Sequence, residues 1–175
     1  MKGIYIEKED AVSPVIATIL MVAITVVLAA TVYILVSHYT STGTSPIAGT
    51  LTGPSENGIQ ATLALTYSSP STMVPGSITI VLGSVDNTAS SLTFTGFSGS
   101  TGNFSAQVTT FPTGLSLTKA TIYITNPSGS GSNVQSGATI TVVLIPSGTG
   151  TITWTGMTIT LTYAGYSGSI TQTFP

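Results

Sequence analysis

Few side chains in this 175-residue chain could take part in a reaction. His38 is the single imidazole, and beyond position 10 the only charged side chains are Glu56, Asp86 and Lys119. Hydrolysis through a Ser or Thr nucleophile needs a base held beside the hydroxyl. His38 closes a long apolar run, where a polar residue at a helix end accounts for it. Glycoside-type chemistry asks for two carboxylates about 5–10 Å apart. Glu56 in PSENG and Asp86 in SVDN are isolated in turn-like sequence, where acidic residues are ordinary. No phosphate loop, metal-ligand spacing or nicotinamide fingerprint occurs, and there are no cysteines for disulfides or thiolate ligation. The expectation is a protein that is not an enzyme and carries no cofactor or metal.

Two places remain where the chain could be a substrate. Asn103-Phe104-Ser105 is an open N-glycosylation sequon, whereas Asn126-Pro127-Ser128 is closed by its proline. The exposed Ser and Thr could also carry O-linked sugars. The second place is the backbone just before Pro14. Ser13 suits a helix N-cap and Pro14 a first helical position, while the proline pushes Ser13 out of α geometry. Residues 11–13 are therefore expected to be extended, as a peptidase requires. A cut there would leave the helix on the mature protein.

The element behind that junction is the clearest in the chain. Residues 11–39 (AVSPVIATILMVAITVVLAATVYILVSHY) contain no Asp, Glu, Lys or Arg, whereas Lys2, Glu7, Lys8, Glu9 and Asp10 crowd the stretch before them. From 14 to 36 the run exceeds the roughly 20 residues that cross a bilayer as a helix, and at about 1.5 Å per residue it is ~35 Å long. It is apolar around its whole circumference, so lipid or other helices must surround it. Ala17, Ala23, Ala29 and Ala30 keep parts of its surface thin and permit close helix approach. Thr18 and Thr25, seven apart, share a face and can bond back to their own helix. Lys2 and Lys8 weakly favour a cytoplasmic leader.

At these residues the chain resembles the archaeal type IV pilins. AVSPVIATILMVAITVVLAATV is close to that family's N-terminal signature, AVSPVI followed by an ILMVAITVILAA-like run, over about 25 residues. The resemblance implies a class III signal peptide over 1–11, removed by a prepilin peptidase. Asp10-Ala11 before Val12 fits the family's charged–small–cut pattern, which places cleavage between Ala11 and Val12. Lys2-Gly3 before Ile4 is a second such site. The resemblance also implies a helix that serves first as a membrane span and then as a filament core, with Val15, Ile16, Leu20, Ile24, Val27, Leu28, Val32 and Leu35 packing against other copies. Implied partners are further copies of the chain, the prepilin peptidase, an assembly ATPase and a membrane platform. Bacterial pilins place a Glu at the fifth mature position; here Ile16 stands there, so that pairing is absent.

Other readings of the same residues are an archaellin-like filament subunit and an anchored or minor-pilin ectodomain that binds sugars. A conventional secretory signal cut near Val27-Leu28-Ala29 fits poorly, because the leader is acidic and the apolar run too long.

Beyond the helix, 40–47 reads as a hinge and 48–175 as an exported β-domain. The class is α+β: a long apolar helix followed by an antiparallel, sandwich-like (Ig-like) domain. Strands are expected at 59–67, 77–82, 91–97, 104–110, 116–125, 138–145, 151–154, 157–163 and 169–174. Ile152 and Trp154 alternate on even positions, whereas Met157, Ile159, Leu161 and Tyr163 continue on odd ones. A turn or bulge at Gly156 must absorb that shift. The nearly unbroken apolar stretch 140–145 reads as a central strand buried on both faces, and 127–137 as an exposed, mobile loop.

Charged residues make up 5% of the chain, against about 25% in ordinary globular proteins. Roughly a third of the residues are Ser or Thr, so the surface is polar without being ionic. Nucleic acid is not an expected partner, since three dispersed lysines cannot neutralise a phosphate backbone. A surface of hydroxyls is also one that acid does not change, because carboxylates are neutralised below about pH 4. Folding in an acidic medium is one explanation for the composition.

Overall fold

The computed structural model describes residues 14–41 and 45–175, with helical side chains given from 15 to 36. The chain divides into two units, 1–43 and 44–175. In the first unit the described element is one helix, α1 (Pro14–Ser41). Pro14 opens it, at the position where a missing N–H costs least. The helix continues to Ser41, into the stretch read as a hinge. At the far end of that stretch, the Ile47 N–H donates to the Ser167 carbonyl at 2.9 Å and the Ser167 N–H donates to the Ser45 carbonyl at 3.1 Å. Ile47 itself is buried. Residues 42–44 lie outside the described ones.

The second unit is an antiparallel sandwich. Its strands are β1 (Ala48–Asn57), β2 (Gln60–Ser69), β3 (Ile78–Gly83), β4 (Leu92–Phe94), β5 (Ser98–Ser100), β6 (Asn103–Val108), β7 (Leu117–Thr125), β8 (Ala138–Pro146), β9 (Thr158–Tyr163) and β10 (Ile170–Thr173). One sheet has the order β1-β2-β8-β7-β6-β5 and the other β10-β9-β3-β4. Period-two alternation sends one set of side chains inward from each sheet. Leu63, Leu65, Ile122, Ile124, Ile140, Val142 and Leu144 come from the six-stranded sheet. Ile78, Ile80, Leu82, Phe94, Ile159 and Leu161 face them from the four-stranded sheet. Each such side chain contributes about 1.5–3 kcal/mol through burial. With so few charges and no disulfides, this packing and the backbone ladders hold the domain.

Several expectations are corrected. Strand β1 was not legible, because AGTLTGPSEN is rich in turn residues. It is an edge strand, and its register shifts between Thr52 and Ser55, around Gly53-Pro54. Edges and bulges are where proline is tolerated. The short hairpin strand β5 escaped notice for the same reason. Residues 151–154 are not a strand. The Thr153 N–H goes to Asp86 Oδ1 at 3.1 Å and the Trp154 Nε1–H to the Gly58 carbonyl at 2.8 Å, so this segment bonds to one side chain and a hairpin tip. Trp154 still enters the core, its ring tilted on Phe174 with centroids 5.5 Å apart. Strand β8 is central, but it is buried on one face only, with Thr141 and Val143 half-buried and Ile145 37% exposed. The second sheet covers a single side. Gly156 does absorb the parity shift: at φ +80° it forms a turn in which the Met157 N–H donates to the Trp154 carbonyl at 2.9 Å.

Candidate functional site

The surface of α1 is the most distinctive feature of the first unit. Val15–Val36 is a 22-residue span of mean hydropathy 2.8, none of it buried within the chain. Hydrophobic side chains occupy every side of the helix, because the sequence never interrupts them with a polar stripe. The residues expected to meet other copies are all exposed, from Ile16 at 51% and Leu20 at 56% to Val15, Val27 and Leu35 at 61%; Ile24, Leu28 and Val32 fall between.

Hydroxyls on such a surface need internal partners, since neither lipid nor a packed bundle offers water. Thr18, Thr25 and Thr31 each donate Oγ1–H to the carbonyl three residues earlier, on Val15, Val22 and Leu28, all at 2.9 Å. Thr31 extends the pattern recognised for the first two. The surface is indented at Ala23, which lies between Ile19 and Val22 on one side and Leu20, Ile24 and Val27 on the other. A small residue ringed by large ones is a hole into which a neighbouring helix can place a side chain.

This segment also carries the chain's similarity to a known family. Residues 10–50 match the family described as archaeal type IV pilin, N-terminal. Over these residues the chain is similar to the N-terminal segment of archaeal type IV pilins. Neither a curated protein nor a solved structure matches the chain. The pilin match covers α1, the start of β1 and the expected cleavage junction. Asp10, Ala11, Val12 and Ser13 themselves lie outside the described residues, as does the side chain of His38.

In the second unit the remaining candidates are spread apart. Glu56 is exposed near the end of β1. Asp86 sits in a turn at φ +51°, where its carboxylate receives the Thr153 N–H. Asn103 opens β6 and is exposed on the outer face of the six-stranded sheet, beside Thr125.

One residue that sequence reasoning passed over organises this end of the domain. Asn126, dismissed as a blocked sequon, is 2% exposed. Its Nδ2 donates to the carbonyls of Ser130 at 2.9 Å and Asn133 at 2.8 Å, and its Oδ1 accepts the Gln135 N–H at 2.9 Å. The 127–137 loop is thus exposed as expected, yet tied down from beneath. The Asn126 N–H donates to the Gly102 carbonyl and the Gly102 N–H to the Gly131 carbonyl, both at 2.8 Å. The hairpin that presents Asn103 is therefore fixed to the same loop. A polar depression lined by Ser71, Thr72 and residues 131–136 lies over it. An Asn directly before Pro at the end of an apolar strand was the available signal.

Proposed function

We propose that the chain is the structural subunit of an adhesive pilus, built by polymerisation of its N-terminal helix. The observation that carries this reading is an apolar helix, exposed on every side, within a segment matched by the pilin family. As a precursor the helix spans the membrane, solvated by lipid. A prepilin peptidase cuts between Ala11 and Val12, removing a charged leader that could be buried only at high cost. The freed helix then moves from lipid into a bundle of identical helices. Both surroundings are apolar, so the transfer gains little from hydrophobicity and depends on packing, including the hole at Ala23. An assembly ATPase and membrane platform drive it. Contacts of this kind do not close on themselves and so generate a filament. The β-domains form its outer layer and make the attachment to surfaces or cells, with Asn103 as a glycan acceptor. No catalysis is assigned to them.

N-terminal sequencing of filaments sheared from cells tests the reading. A mature end at Val12 supports it, and an end at Ile4 moves the cut to Gly3. Material that stays in the membrane with Met1 intact overturns it.

A further inference from the structure

The charged side chains of the β-sandwich share one end of it. Glu56 stands near the end of β1, Asp86 in the turn after β3 and Lys119 near the start of β7. The strand registers put the ends of β1 and β8 and the start of β7 opposite residues 45–48, where the chain enters the domain. Asp86 belongs to the same far end, joined to Thr153, whose neighbour Trp154 bonds to Gly58. The entry end is built from segments 70–77, 95–102, 126–137 and 164–169, and none of them contains Asp, Glu, Lys or Arg. They are fastened together there, the Val134 N–H donating to the Met73 carbonyl and the Gly102 N–H to the Gly131 carbonyl, both at 2.8 Å.

One cluster on this uncharged end is apolar and aromatic. The Val74 N–H donates to Tyr163 Oη at 3.1 Å, and the Tyr163 and Tyr166 rings are tilted with centroids 5.4 Å apart. Val74 is 48% exposed and both tyrosines are half-buried. Tyr166 directly precedes Ser167, the residue bonded to Ser45 and Ile47, so the cluster adjoins the point of chain entry. We propose that Val74, Tyr163 and Tyr166 form a contact surface for the lipid headgroups of the membrane while α1 spans it, an inference that rests on the membrane-span reading of α1.

Chain length selects a lipid surface as the occupant. The 22 residues Val15–Val36 rise about 33 Å as a helix, close to the ~30 Å of a hydrocarbon core. Residues 37–41 continue the helix for about 7 Å more, the depth of one headgroup layer. Only 42–44 separate that point from Ser45, a reach on the order of 14 Å at full extension. Covalent structure alone thus keeps the entry end near the membrane surface. Its chemistry suits that surface. Tyrosine favours the headgroup level, where its ring meets the acyl boundary and its hydroxyl stays wet. An end without ions has none to strip of water on approach. A docking protein needs about 800 Å² per partner, more than one valine and two half-buried tyrosines offer. A tethered surface needs far less, because the tether keeps its local concentration high.

The chain has no cysteine, so a single introduced one can carry a fluorescent dye. Thr72→Cys is exposed at the entry end and leaves the cluster intact, and Ile59→Cys lies at the β1–β2 hairpin tip of the opposite end. Each labelled full chain is placed in phosphatidylcholine vesicles containing a lipid with a nitroxide on its headgroup. Quenching is expected to be roughly threefold or more stronger at Thr72→Cys than at Ile59→Cys, which a strand of about 30 Å separates from the entry. Inserting about ten Gly and Ser residues between Gly43 and Thr44 frees the tether. Quenching at Thr72→Cys should survive that insertion, and adding Tyr166→Ser to the lengthened chain should abolish it. Ser169→Cys, also exposed at the entry end, replaces Thr72→Cys if that variant misfolds. Equal quenching at the two ends overturns the proposal, as does quenching lost on lengthening the linker. Protection of the entry end in filaments without quenching in vesicles overturns it too, and assigns the cluster to other copies. A chain that alkali strips from the vesicles removes the membrane-span reading itself, a separate outcome.

Discussion

Asn126 Nδ2 lies 2.8 Å from the carbonyl oxygen of Asn133, across a loop that carries no regular structure of its own. The loop thereby holds a fixed shape without packing many apolar side chains; only Val134 among residues 127–137 is buried. Asn126→Ala removes two donors and one acceptor together. It is expected to cost ~2 kcal/mol, the penalty for leaving such partners unmet where water reaches some of them. Urea unfolding followed by tryptophan fluorescence reads it, because the chain's one tryptophan, Trp154, is buried in the β-domain. An unchanged midpoint would show that the loop is not held through Asn126.

Tyr67 makes the domain sensitive to alkali. Burial raises its hydroxyl above the ordinary tyrosine value of about 10, and that hydroxyl donates to the Val134 carbonyl. The folded state favours the neutral phenol more than the unfolded state does. The stability it contributes is therefore complete below about pH 10 and declines as pH climbs through and above that value. Tyr67→Phe is expected to lose about 1 kcal/mol at pH 7, from the missing hydrogen bond. Above pH 10 its decline should be shallower than that of the wild type. Parallel curves across that window would refute the assignment.

In acid the domain should behave differently. Glu56 and Asp86 are the only carboxylate side chains between residues 45 and 175. Acid unfolding arises mainly from protonating carboxylates that are paired in the native state. With only those two carboxylate side chains in the domain, stability at pH 2 is expected to stay within about 1 kcal/mol of its value at pH 7. A collapse at pH 2 would mean that the charge-poor surface has no bearing on acid tolerance.

How far the sequence disclosed these features follows from how local each signal is. The helix was legible because a long uncharged apolar run means the same thing in any context. The parity shift at Gly156 was legible because side-chain alternation survives on both sides of the turn. Strand β1 was not, since an edge strand needs neither strong β propensity nor freedom from proline. Trp154 and its neighbours alternate like a strand, yet their polar groups are taken by Asp86 and Gly58, distant in sequence. Asn126 was misjudged for a similar reason. Its proline says that it accepts no glycan, but only the tertiary structure says what its amide does instead.

The indentation at Ala23 leads to a last expectation. Ala23→Leu fills the hole between Ile19 and Val22 and between Leu20, Ile24 and Val27. It makes the segment no less apolar, so insertion of the precursor into the membrane should be unaffected. On the proposed reading assembly depends on close helix packing, and an added side chain there costs about 1–3 kcal/mol per contact. In a polymer every subunit bears that cost. The ratio of sheared filament to membrane-bound subunit, read by immunoblot, should therefore fall sharply for Ala23→Leu. Ile34→Leu, at a position 67% exposed, conserves volume and should leave the ratio close to wild type. If Ala23→Leu assembles as well as the wild type, the bundle does not pack through this hole, and another strip of the helix must carry the contact.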